Sequence, residues 1–200
     1  MELLEASRHL DLGCGIAPRN PFRHRELFGC DIRDLSDSEL KLDFEYKKAN
    51  LIQEPIPFAD KYFNSVSAFD FIEHIPRQFV GTHGELINPF VALMSEIHRV
   101  LVPGGRFIAI TPAFPRPEAF QDPTHVNIIT MNTHTYFIGE QPYAWIYGFK
   151  GRFEIVNVYW SAPKNAHNLL ESRWRKRIRN IEHTVFKNGL SHILWDLRAV

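Results

Sequence analysis

Residues 9–15 read His9-Leu10-Asp11-Leu12-Gly13-Cys14-Gly15, and an acid, Asp31, closes the later stretch Leu27-Phe28-Gly29-Cys30-Asp31. An apolar strand thus runs into a glycine turn, and the next strand ends on a carboxylate. Without side chains at Gly13 and Gly15 the backbone can turn sharply and a ligand can approach its amides. A carboxylate at the neighbouring strand end can accept hydrogen bonds from both hydroxyls of a ribose. The pair predicts a nucleoside-binding crevice, and the residues just after the glycines decide which nucleoside fits.

A dinucleotide site needs a third glycine three residues on and a helix whose N-terminus faces the pyrophosphate. Here that position is Pro18, with Pro21 close behind. Proline offers no N–H to a phosphate. Asn20-Pro21 suits an N-cap and first helical residue, but the helix they would start has room for only about two turns. A diphosphate cradle is disfavoured.

The chain alternates strand and helix patterns, which argues for a mostly parallel sheet. Strands are expected near 8–12, 26–31, 44–49, 65–70, 106–111, 153–160 and 192–199. Apolar residues at 90, 93, 94, 97, 100 and 101 form a helical stripe, and Pro103-Gly104-Gly105 then turns the chain into the fifth strand. A length of 200 residues fits one domain, 1–200, with a real core. No apolar run approaches the roughly 20 residues that span a bilayer, and the start of the chain lacks a basic-then-apolar leader, so a cytoplasmic protein is expected. Cys14 and Cys30 are expected as free, packed thiols.

Net charge is zero, but it is uneven. Residues 161–191 hold seven basic side chains against two acidic ones, a net of +5, leaving −5 elsewhere. Within them Leu170, Trp174, Ile178, Ile181 and Val185 recur at helical spacing, and Arg173, Arg175, Lys176, Arg177 and Arg179 fall on other faces. Such a helix is either a solvated cationic element or a surface for an anionic substrate or a lipid headgroup layer, with Arg173, Arg175 and Arg177 as the contacts. One basic insert does not make a nucleic-acid protein.

Several segments together carry a family resemblance. Asp11-Leu12-Gly13-Cys14-Gly15 resembles motif I of the class I S-adenosylmethionine-dependent methyltransferases, whose ligand carries no phosphate. Asn50-Leu51 followed by Pro55-Ile56-Pro57-Phe58, the stretch Asp70-Phe71-Ile72-Glu73-His74-Ile75, and Glu96-Ile97-His98-Arg99-Val100-Leu101-Val102-Pro103-Gly104-Gly105 are similar to later segments of that family, in order. The resemblance implies a Rossmann-like three-layer α/β sandwich with a seven-stranded sheet in the order 3-2-1-4-5-7-6. It implies S-adenosylmethionine held by Asp11, Gly13, Cys14, Gly15, Asp31, Ile32, Asn50, Leu51 and Asp70. Two positions depart from the family: Ala17 replaces a glycine, and Asn50 replaces an acid.

Methyl transfer to an oxygen needs a group to take the proton, and carboxylates and histidines at strand ends are the candidates: Glu73, His74, Asp122 and His125. The last two sit in Asp122-Pro123-Thr124-His125, similar to a stretch in small methyltransferases of bacterial surface-polysaccharide synthesis. That implies a hydroxyl of a small molecule or glycan precursor as acceptor, with loop 112–145 and insert 161–191 covering the pocket. No metal is expected, because the spacing of His74, Asp122, His125 and His134 matches no metal motif. A catalytically silent S-adenosylmethionine binder and an NAD-dependent oxidoreductase are the rival readings.

Overall fold

The computed structural model describes residues 7–36, 39–40, 43–162 and 190–200. Seven strands form one sheet: β1 (Arg8–Leu12), β2 (Glu26–Asp31), β3 (Glu45–Lys48), β4 (Phe63–Phe69), β7 (Leu101–Pro112), β8 (Phe153–Ser161) and β9 (His192–Ala199). Two further strands, β5 (Phe79–Val80) and β6 (Leu86–Ile87), make a separate small hairpin that no periodicity in the sequence announces. The sheet order is β3-β2-β1-β4-β7-β9-β8. Counting its seven members alone, this is the expected 3-2-1-4-5-7-6. All neighbours are parallel except β9, which runs antiparallel to both β7 and β8.

Alternation in β1 and β4 splits the sheet into two faces. Leu10, Leu12, Val66 and Ala68 join the main core with Phe107 and Ala109 of β7. The helix α1 (Pro89–Val100) packs on this core, burying Phe90, Leu93, Met94, Ile97 and Val100, the stripe its spacing predicts. Each such side chain contributes about 1.5–3 kcal/mol when taken out of water. Pro89 at the first helical position and His98 and Arg99 in the last turn suit the ends they occupy. The other face carries His9, Asp11, Ser65 and Ser67, then a smaller apolar group of Phe69, Ile108, Ile110 and Leu194.

Three local expectations are corrected. Asn20-Pro21 starts no helix: the Asn20 amide group instead clamps His24, accepting from its N–H at 3.0 Å and donating to its carbonyl at 2.8 Å. Among the described residues the β1–β2 and β2–β3 connections hold no α-helix, against the strand–helix alternation expected there. The strand after α1 begins at Leu101, not 106, with a register shift opposite Phe63 and Ser65 that absorbs Pro103-Gly104-Gly105. Among the described residues no helix is long and apolar enough to cross a membrane.

Candidate active site

The carboxyl ends of β1, β2, β4 and β7 lie together, where ligands bind in open α/β sheets. After β1 the chain turns through Gly13 and Gly15, both with left-handed φ, +66° and +59°. The Gly13 N–H donates to the Cys30 carbonyl at 2.8 Å, tying the turn to the end of β2. A Cβ at Gly13 would lie 2.5 Å from the Phe71 ring, and one at Gly15 would lie 2.5 Å from the Arg33 guanidinium. Both glycines are therefore demanded by conformation, and Gly13 also by crowding against the Phe71 ring.

Asp31 closes β2 with its carboxylate against this turn. It accepts from the Gly15 N–H at 2.9 Å and from the Arg33 N–H and Nε at 3.1 Å each. Burial works against its charge, but the bonds from Arg33 and Gly15 outweigh it and hold the carboxyl below its ordinary range. Arg33 is not among the residues expected at the site. An Asp-x-Arg step at a strand end was the available signal, since two residues on is the reach of a side chain folding back.

The remaining residues expected at the cofactor divide. Ile32 is 58% exposed beside Asp31, open for an aromatic ring to pack on. Asp11 lies within β1 on the sheet face away from α1, buried, accepting from Ser67 Oγ at 2.5 Å and from the Arg19 N–H at 2.8 Å. Burial raises its carboxyl to about 7. It folds the loop after Gly15 onto the sheet rather than facing a ligand. Asn50 Oδ1 accepts from the Ile52 N–H at 3.2 Å, capping its own turn, and Leu51 is buried. The Cys14 and Cys30 thiols are free and buried, and burial pushes each up to about 12, so neither is a nucleophile.

At the ends of β4 and β7 lies a second constellation. Asp70, with φ +49°, follows β4 and pairs with His192 Nε2 at 3.0 Å, while His192 Nδ1 meets Ser191 Oγ at 2.7 Å. No local pattern points to His192, because only the antiparallel β9 brings the start of that strand to this end. A short 3-10 turn, Ile72–His74, then buries Glu73. One oxygen of Glu73 accepts from Thr111 Oγ1 at 2.9 Å, and burial lifts its carboxyl to about 8. The Glu73 carbonyl takes the N–H groups of Val126 and Asn127 at 3.0 and 2.9 Å, and the Asn127 amide group binds the Ile72 carbonyl.

Those bonds clamp the loop carrying Asp122 and His125 onto Glu73. His125 Nε2 lies 4.0 Å from Glu73 Oε1 and 3.9 Å from Asp122 Oδ2. The His74 ring stands edge-on to His125 with centroids 4.9 Å apart. Thr124 donates its N–H and hydroxyl to Asp122, which lowers that carboxyl and keeps it ionised. All four residues expected at the chemistry are thus brought together. His134 is elsewhere, buried with its ring 5.9 Å from Trp195. Arg173, Arg175 and Arg177 lie outside the described residues.

A family model described as a methyltransferase domain matches residues 10–109. The chain belongs to the methyltransferase domain family. Its fold is shared with a SAM-dependent methyltransferase from Archaeoglobus fulgidus, at 16% identity, TM-score 0.53, 97% of this chain and 86% of that one. An S-adenosylmethionine-dependent methyltransferase from Mesorhizobium loti is similar at 16% identity and TM-score 0.53, covering 98% and 93%. A geranyl diphosphate C-methyltransferase from Streptomyces coelicolor, solved with Mg2+, geranyl diphosphate and S-adenosyl-L-homocysteine, is similar at 15% identity and TM-score 0.51, covering 97% and 71%. No curated protein matches the chain significantly.

This methyltransferase uses S-adenosylmethionine, and the family assignment displaces the NAD-dependent reading. The residues present fit the donor. The turn at Gly13–Gly15 has no helix N-terminus behind it, and a nucleoside without phosphates needs none. Asp31 would take the ribose hydroxyls in exchange for Arg33, with Ile32 beside it and Asp70 across the crevice at the end of β4. The donor supplies an electrophilic methyl on a sulfonium. The protein supplies position, and positioning accounts for much of the barrier reduction in an in-line displacement.

Proposed function

We propose that the methyltransferase methylates a hydroxyl of a small molecule or glycan precursor, and that the proton leaves into the cluster of Glu73, His74, Asp122 and His125. One observation carries this reading: His125 Nε2 faces two carboxylates across gaps of 4.0 and 3.9 Å, at the strand ends beside Asp70. These gaps are too long for direct hydrogen bonds and suit an oxygen held between them. An imidazole or a carboxylate within reach of that oxygen can take its proton as the methyl arrives.

The acceptor we favour is anionic. Ser161 and His192, which bound the basic connection, pair with each other across β8 and β9, and His192 in turn pairs with Asp70. Residues 162–191 therefore leave and re-enter at the site, and Arg173, Arg175 and Arg177 among them suit a phosphate-bearing or nucleotide-linked sugar, or a lipid surface that carries one. The test is release of S-adenosylhomocysteine by the purified chain, assayed over nucleotide sugars, free sugars and amine acceptors. Turnover with a hydroxyl acceptor that falls in R175A/R177A, at unchanged donor affinity, supports both parts. Turnover with amines alone overturns the oxygen acceptor.

A further inference from the structure

Glu73, His74 and His125 each bring one potential ligand atom into a group whose members all lie within 4.8 Å of one another. The group is not a closed hydrogen-bond network. Glu73 is 1% exposed, and its Oε1 is a buried acceptor with no partner, aimed toward His125 Nε2 at 4.0 Å. A buried acceptor left unpaired costs about 1–3 kcal/mol, so such a group calls for an occupant. Its other oxygen is fixed by Thr111, which sets the carboxylate's aim.

The tautomer of His74 points the same way. Its Nδ1 lies 3.2 Å from the Thr124 carbonyl and 3.0 Å from the Thr124 hydroxyl. That hydroxyl gives its own proton to Asp122 at 2.6 Å, so both neighbours of Nδ1 are acceptors and Nδ1 carries the hydrogen. The lone pair falls on Nε2. Donation of one ring N–H to a carbonyl is how ligating histidines are usually oriented.

We propose that Glu73, His74 and His125 bind a divalent first-row metal ion, with Asp122 as the carboxylate beside it. Two imidazoles and a carboxylate are a common donor set for such ions, leaving coordination positions open. Ligands about 2.1 Å from a metal stand roughly 3.0–3.5 Å apart, so the group closes by an ångström or so on binding. The ion gives the buried Glu73 carboxylate its counter-charge. On the hydroxyl-acceptor reading, on which this one consequence rests, it would also take the acceptor oxygen, leaving Asp122 to receive the proton. Sequence spacing does not show the site, because residues 73–74 and 125 meet only through the ends of β4 and β7.

The experiment uses the untagged full chain, stripped with chelator and dialysed against micromolar Zn2+, Mn2+ or Co2+ in turn. Expected are one equivalent bound, a Co2+ ligand-field band without thiolate charge transfer, and a rise in melting temperature with ion concentration. E73Q and H125Q should each weaken binding at least tenfold, and H98Q, at the far end of α1, should not. The wild-type melting shift and cobalt spectrum stand even where a variant fails to fold. No saturable binding, a thiolate band, or equal affinity in folded E73Q and H125Q overturns the site. Calorimetry with S-adenosylmethionine on the same sample separates the two readings: donor binding without ion binding sinks only the metal site, and ion binding without donor binding sinks the methyl-transfer reading.

Discussion

Two buried polar groups sit on the same sheet and are completed differently. Between β1 and β4 the chain Ser65–His9–Ser67–Asp11 is closed: both His9 nitrogens meet serine hydroxyls at 2.6 and 2.8 Å, and both Asp11 oxygens have donors. At the ends of β4 and β7, Glu73 Oε1 and His125 Nδ1 are buried without partners, and the other ring nitrogen, His125 Nε2, stands 4.0 Å from Glu73 Oε1 and 3.9 Å from Asp122 Oδ2. A satisfied network holds a core rigid, whereas an unsatisfied one leaves a place that a water or a ligand can complete. The difference separates histidines that the sequence presents alike. His9 is architecture, and on the proposed function His125 belongs to the chemistry.

The strongest way to break this contrast is at His125. H125A should lower turnover by about 10²–10⁴-fold, the range of a lost proton-transfer group. Donor affinity by calorimetry and melting temperature should stay close to wild type, since the residue already leaves a nitrogen unpaired. An H125A enzyme as active as wild type would remove the cluster from the chemistry. S67A should do the reverse. It strips His9 Nε2 and Asp11 Oδ1 of a partner at once, a cost of roughly 2–5 kcal/mol for two orphaned buried groups. Denaturant unfolding reads that loss, and turnover per folded molecule should hold.

A smaller effect sharpens the closed network through pH. Burial raises Asp11 from 3.8 to about 7, so the folded state prefers its protonated form. That preference is intact below about 4 and is lost as pH rises through about 7. Burial lowers His9 from 6.5 to about 3, so its contribution is intact above 6.5 and is lost as pH falls toward 3. D11N keeps the second dependence and removes the first. The stability difference, wild type minus D11N, should therefore fall by a few kcal/mol between pH 4 and 7. A flat difference across that window would show that Asp11 does not change protonation there.

The sequence was most legible where periodicity and glycine chemistry act locally. The strand at 192–199 and the stripe of α1 follow from alternation and three- and four-residue steps, and Gly13, Gly15 and Asp31 meet because β1 and β2 are neighbours in chain and sheet alike. What was illegible depended on long-range closure. Asp11 looks like its neighbours in motif I, but it lies within β1, where Ser67 and the Arg19 N–H take up its carboxylate. Asn20-Pro21 carries a helix signal that its amide spends on His24 instead. Asp70–His192 and Glu73–His125 join residues more than fifty positions apart, which no spacing rule reaches.

Asp31 lies between the two extremes and gives the smallest effect. Its carboxylate is satisfied, but by Arg33, whose side chain is 54% exposed and therefore replaceable. Exposed ion pairs are worth about 0.2–1 kcal/mol. If ribose hydroxyls displace that guanidinium, R33A relieves a weak competitor, and S-adenosylmethionine should bind roughly two- to fivefold more tightly by calorimetry. D31A should weaken binding by more than that, because the hydroxyls lose their acceptor. Should R33A instead weaken binding as much as D31A, the guanidinium belongs to the binding site rather than holding its place, and Asp31 would join the closed class with His9.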